Sequence, residues 1–153
     1  MIKNTAGKRY NMKFKFLEEL AIADVAFEAY GKNLGEAFGN AALATFEVQT
    51  DTKKVKAKVS KNVKIEAENK EALLFDWLSE LLYLRDVKSM FFSKFDVKIS
   101  EKNKRFVLIA KAYGEKINRK KHELKTEVKA VSYQLMQIEE KTGKCRVRVI
   151  LDV

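Results

Sequence analysis

At 153 residues the chain has the length of one domain, enough to bury a single core and too short for two ordinary ones. Hydrophobic residues make up 46% and charged residues 34%, and no apolar run approaches the roughly 20 residues of a membrane helix, which excludes a membrane protein of that kind. Basic residues outnumber acidic ones 31 to 21, giving a net charge of +10 that suits long-range attraction of a polyanion or an acidic partner. Because 25 of the 31 are lysines, the excess argues for steering more than for a shaped, bidentate phosphate site. No apolar segment follows Lys3, Lys8 and Arg9, and the lone Cys145 has no partner for an intramolecular disulfide, so the expected location is cytoplasmic.

Residues 1–12 are read as a disordered N-terminal extension ahead of a single domain. Asp24 follows Ala21-Ile22-Ala23 and precedes a strand carrying Val25, Phe27 and Ala29. Asn33-Leu34-Gly35-Glu36 predicts a helix start, with Asn33 accepting from first-turn amides and Glu36 reaching back to it. Beyond that cap Leu34, Ala37, Phe38, Ala41 and Thr45 share a stripe. Alternation of Val55, Ala57 and Val59 with lysines, then of Val63, Ile65 and Ala67 with polar residues, predicts strands with one wet face. Asn69 precedes a longer helix to about Arg85, with Leu74, Leu78, Leu81 and Leu82 on one face and Trp77 beside them, expected at the centre of the core. Phe95, Val97 and Ile99 predict a strand. The turn Glu101-Lys102-Asn103-Lys104 leads to another with Phe106, Leu108, Ala110 and Ala112. Val128–Glu139 and Cys145–Asp152 bracket Lys141-Thr142-Gly143-Lys144 as a C-terminal hairpin. Strands mixed with two helices, without strict β-α-β alternation, predict an α+β two-layer sandwich, its sheet mixed or antiparallel and both helices on one face.

Several chemistries are excluded. One histidine rules out any site needing two, one Cys and one His leave a zinc shell unfilled, and no glycine-rich phosphate loop is present. The remaining candidates are carboxylates. Asp24 interrupts an apolar run, Asp51 lies in Gln49-Thr50-Asp51-Thr52 after the first helix, and Asp152 follows a strongly apolar strand one residue from the α-carboxylate of Val153. Taken singly each has a structural reading: a strand-end charge, a turn residue, and a counter-ion for Arg146 and Arg148. Taken together they are the oxygen ligands that hard divalent cations prefer. His122, in a basic loop, reads as a local hydrogen-bonding group or a functional one. Lys129 reads as an edge charge or as a partner for Asp24 or Asp152.

Three blocks, Ala23-Asp24 before a strand ending Tyr30-Gly31, Thr50-Asp51-Thr52, and Leu151-Asp152-Val153, resemble the archease family. So do the leucine-rich helix Glu71–Tyr83 and Lys121-His122-Glu123 followed by Glu127–Tyr133. The resemblance extends from about Phe14 to Val153. The chain departs from it where Ala21 and Gln134 stand at positions that often hold His. The resemblance implies a non-catalytic, chaperone-like cofactor in tRNA splicing. Such a protein activates the ligase that joins 3′-phosphate or 2′,3′-cyclic-phosphate RNA ends to 5′-hydroxyl ends, by promoting guanylylation of that ligase and its repeated turnover. It implies divalent-cation binding at Asp24 and Asp152, with Asp51 less directly involved, Ca²⁺ being expected ahead of Mg²⁺ or Mn²⁺. The partner is then the tRNA-splicing RNA ligase, RNA contact being weak or indirect. The rival expectation is a basic RNA-binding or RNA-chaperone module gripping phosphates through Lys54, Lys56, Lys58 and Lys61, a surface without interleaved aromatics.

Overall fold

The computed structural model describes residues 12–18 and 24–153, so the reading of an N-terminal extension and the Ala21-Ile22-Ala23 segment fall outside the described residues. Among the described residues seven antiparallel strands form two sheets. The first, in the order β1 (Phe14–Phe16), β2 (Val25–Gly31), β7 (Lys144–Asp152), β6 (Ala130–Lys141), holds the first and last of the described strands. The second has the order β3 (Val59–Ala67), β5 (Arg105–Lys116), β4 (Met90–Lys102). The helices are α1 (Leu34–Glu47) and α2 (Lys70–Lys88). The α+β class stands, and its sheet is antiparallel and divided in two. Helix α1 packs against β2 and β7 on one side and β4 on the other, while α2 packs against β6 and against β3 and β5.

That position explains the composition of α1. Ala37, Phe38, Ala41, Ala42, Ala44 and Phe46 are all fully buried, a face broad enough to be covered on two sides, while Glu36, Asn40, Leu43 and Glu47 form the narrow stripe left partly or fully exposed. A Cβ at Gly35 would lie 2.4 Å from the Val97 carbonyl oxygen, so only glycine lets β4 approach this closely. The N-cap is Asn33 as expected, and only the reciprocal bond to Glu36 is displaced by one residue. Asn33 Oδ1 accepts from Glu36 N–H at 2.8 Å, but Glu36 Oε1 accepts from Lys32 N–H at 3.0 Å rather than from Asn33. Asn69 caps α2 by accepting from Ala72 N–H at 2.8 Å. Trp77 is wholly buried, and its Nε1–H donates to the Phe38 carbonyl at 3.0 Å, joining the two helices at the centre of the core.

The predicted hairpins form. Asn103 and Lys104 both have positive φ, 54° and 64°, the type I′ pattern of a two-residue loop between β4 and β5. Thr142-Gly143 closes β6 onto β7, with φ of 77° at Gly143. One expected strand is absent. Thr52–Lys54 is a 3-10 turn, and β3 begins only at Val59, which is itself 51% exposed. The main chain of 55–58 is held by two main-chain bonds, Val55 N–H to the Thr52 carbonyl and Lys58 N–H to the Gly114 carbonyl, both at 3.1 Å, and by two side chains. Ser93 Oγ donates to the Val55 carbonyl at 2.7 Å, and Lys56 N–H donates to Glu115 Oε2 at 2.8 Å.

Candidate functional site

The pairing of β2 with β7 runs from Gly31 opposite Cys145 to Val25 opposite Leu151. Asp24 and Asp152, both exposed, are the next residues along that register, at one end of the first sheet. On the far side of β7, Ala130 of β6 faces Asp152, and Lys129 N–H donates to the Asp152 carbonyl at 2.7 Å. Two of the predicted acids and Lys129 therefore meet at the ends of three adjacent strands. Lys129 contributes its main chain there, and no salt bridge joins its ammonium to either acid among the described residues.

Helix α1 begins beyond the opposite end of β2 and folds back across it, which returns Asp51 to the same end of the molecule. Its carboxylate caps the 3-10 turn, Oδ1 accepting from Lys53 N–H at 3.2 Å. The segment leading into β6 is stitched to this region through Lys125 N–H to the Gln49 carbonyl at 2.9 Å and Thr126 N–H to the Val48 carbonyl at 3.1 Å. Arg85, buried at the end of α2, donates through Nη1 to Gln49 Oε1 at 2.5 Å and to the Val128 carbonyl at 3.0 Å. One guanidinium nitrogen thus ties both helix ends to the residue preceding Lys129, while Nε donates to Asp86 Oδ1 at 2.8 Å, a set of fixed directions that suits the planar Arg fork. Among the described residues no three acidic, His or Cys side chains gather as a cation shell. The donor set that fits a hard cation is the Asp24 and Asp152 pair, which could supply only part of the 6–8 oxygens that Ca²⁺ takes.

Asp152 is not the counter-ion of the two β7 arginines. Arg146 Nη1 and Arg148 Nη2 both donate to Glu28 Oε2, at 2.5 and 3.2 Å, and the Tyr30 hydroxyl donates to Glu28 Oε1 at 3.0 Å. Register explains the choice, since Glu28 lies directly opposite Arg148 and next to the row of Arg146. Burial pushes the Glu28 pKa up, but the hydrogen bonds from Tyr30, Arg148 and Arg146 outweigh it and hold the carboxyl below its usual range.

His122 is 1% exposed and is pinned on both ring nitrogens. Asn118 N–H donates to Nδ1 at 3.0 Å, so the ring proton sits on Nε2, which donates to Glu115 Oε2 at 2.9 Å. The ring also meets Phe91 edge-on at 5.8 Å between centroids. Its place in the fold is that of a strut within the loop following β5. Glu115, to which the sequence reading gave no role, is the centre of this network. Its carboxylate also accepts from Lys121 Nζ at 2.6 Å and from Lys56 N–H, and lies 3.5 Å from Lys58 Nζ. Burial pushes its pKa up, but the bonds from Lys121, Lys56 N–H and His122 more than offset this, lowering it from 4.5 to about 2. A lone histidine seven residues from an acid, across a loop, was the available signal. The next residue back, Gly114, lets β4 pass: a Cβ there would lie 1.9 Å from the Phe91 carbonyl oxygen, beside the bulge that sets Ser93 outside the β4–β5 pairing.

Residues 14–153 match the sequence profile of the Archease protein family (MTH1598/TM1083). Protein archease of Methanothermobacter thermautotrophicus is 46% identical over 140 residues, covering 92% of this chain and 98% of that protein. Protein archease of Sulfurisphaera tokodaii is 47% identical over 141 residues, covering 92% and 99%. The solution structure of Methanobacterium thermoautotrophicum protein 1598 superimposes with a TM-score of 0.81 at 46% identity, covering 92% of this chain and 99% of that one. The crystal structure of an archease from Thermotoga maritima, described as a possible chaperone, shares the fold with a TM-score of 0.57 at 20% identity, covering 87% and 93%.

Proposed function

The chain belongs to the archease family, and from that premise we propose that it is a non-catalytic, chaperone-like cofactor of the tRNA-splicing RNA ligase, promoting the ligase's guanylylation and its multiple turnover. The observation that carries this reading is the placement of Asp24 and Asp152 side by side at the open end of β2 and β7, where both are exposed. Two exposed carboxylates make an incomplete shell. A hard divalent cation, Ca²⁺ ahead of Mg²⁺ or Mn²⁺, would therefore keep open positions for water or for groups of a partner, which is the arrangement needed to act on another protein's metal or nucleotide site. Asp51, with one oxygen engaged in its cap, stands at the margin of that site.

The remainder of the end is built for rigidity. Arg85, through its bond to the Val128 carbonyl, and the Lys129 N–H bond to Asp152 fix the segment beside the acids, so that little ordering entropy would be lost on docking. A bound cation supplies charge stabilisation near the ligase's reacting phosphates. The protein's own residues hold the two acids in place and steer the encounter through their surplus positive charge.

The test is ligation of 3′-phosphate to 5′-hydroxyl RNA by the ligase under multiple turnover, with the protein and with its Asp24→Ala and Asp152→Ala variants. Both substitutions are expected to abolish activation while the melting temperature in chelator stays unchanged or rises, and to remove the upward shift produced by added Ca²⁺. Full activation by both variants would refute the site. Equal loss of stability with and without cation would assign the acids to structural ion pairs.

A further inference from the structure

The outer face of the second sheet, turned away from the helices, carries a pattern distinct from the end just described. On β5, the central strand, Leu108, Ala110 and Ala112 point inward and are buried, so Val107, Ile109, Lys111 and Tyr113 face out. Register places Lys64, Ile109 and Lys98 in one row across the three strands, Asn62, Lys111 and Asp96 in the next, and Ser60, Tyr113 and Lys94 in the third. Ile109 is 58% exposed, and Lys94 Nζ sits over the Tyr113 ring at 5.0 Å from its centroid. A shallow depression of about 570 Å³ is lined by Lys64, Lys98, Lys111, Ile109 and Tyr113 together with Asp96.

We propose that this face binds single-stranded RNA, weakly and without regard to sequence, through its phosphates on Lys64, Lys94, Lys98 and Lys111 and a base against Tyr113 and Ile109. The face has what a strand of nucleic acid needs and a folded acidic protein does not: a flat three-stranded platform, an aromatic ring and an apolar side chain at its middle, and ammonium groups on each flanking strand. Lys94 Nζ covers one face of the Tyr113 ring, whose hydroxyl donates to Asp96, so a base would pack on the ring after Lys94 swings to a phosphate. Asp96 is the only acid in these three rows, leaving the four lysines in excess. This surface is separate from the carboxylate end, so the inference stands whether or not the ligase reading does.

Four lysines on a single strand give a slope of log K against log salt of roughly −2.8, so affinity should fall about 50-fold between 50 and 200 mM salt. The experiment is fluorescence anisotropy with a fluorescein-labelled, unstructured RNA of about 12 nucleotides, within the site sizes of sheet-based binders. Three proteins are compared: the natural chain, K64E/K98E/K111E, and the control K53E/K54E/K120E, which carries the same change in net charge on exposed lysines away from the face. The face variant is expected to bind more than 10-fold more weakly than the control and to lose roughly 2 from the slope, and Tyr113→Ala to weaken binding without changing the slope. Equal losses in the two triple variants, or a salt-independent affinity, would overturn the proposal. Displacement of the RNA by polyglutamate at equal charge concentration would also overturn it, in favour of an acidic protein partner.

Discussion

Replacing Glu115 with glutamine removes the charge at the centre of the network that holds residues 55–58 and 117–122 against β5, and leaves the shape nearly unchanged. In the native state the carboxyl titrates at about 2, against 4.5 unperturbed. The difference, multiplied by about 1.4 kcal/mol per unit, corresponds to about 3 kcal/mol. Lys121 and Lys58 keep 33% and 62% of their side chains in solvent, so screening reduces the expected loss to about 2 kcal/mol. The sign follows from the lowered pKa. Stability supplied by ionised Glu115 is complete above about 4.5 and is lost as pH falls toward 2. Urea unfolding of the natural protein and of Glu115→Gln should therefore differ by about 2 kcal/mol at pH 7 and by less than half of that at pH 3. A difference of the same size at both pH values, or none at pH 7, would show that the carboxylate's charge does not hold the loop.

Gly114→Ala should cost about 3 kcal/mol in the same unfolding assay, because its Cβ meets the Phe91 carbonyl. Gly143→Ala, where nothing lies within 4 Å and only the positive φ opposes the change, should cost about 1 kcal/mol. A larger loss at Gly143 than at Gly114 would contradict the packing argument. The Cys145 thiol is buried, and burial together with the neighbouring Glu140 raises its pKa, so disulfide-reagent labelling should run roughly 100-fold slower in the folded than in the urea-unfolded protein. Comparable rates would show that the start of β7 opens readily.

The features legible in the sequence are those set by neighbours along the chain. Asn33 and Asn69 cap helices because an amide oxygen can reach the N–H three residues on, a rule needing no tertiary information. Alternation located β4, β5 and the two tight hairpins for the same reason. Long-range pairing was hidden. Nothing local states that β3, β4 and β5 separate from the remaining strands, and the buried face of α1 is broader than the single stripe its periodicity suggests, because sheets cover it on two sides. The alternation at Val55 and Ala57 misled because Ser93 and Glu115, distant in sequence, satisfy the main chain that a neighbouring strand would otherwise pair. The Asp24 and Asp152 pairing needed the β2–β7 register, and the arginine partner of that strand pair proved to be Glu28. Family resemblance points to both acids, and the fold puts them at the ends of neighbouring strands.

The most direct measurement of the central claim is the rate of covalent GMP attachment to the tRNA-splicing ligase, followed with labelled GTP in the presence of Ca²⁺ and a substoichiometric amount of this protein. Faster attachment and many ligation cycles per ligase are expected, with no GMP transferred to this protein itself and no gain when both Asp24 and Asp152 are alanine. An unchanged rate with the natural protein, or an equal gain with the doubly substituted one, would contradict it.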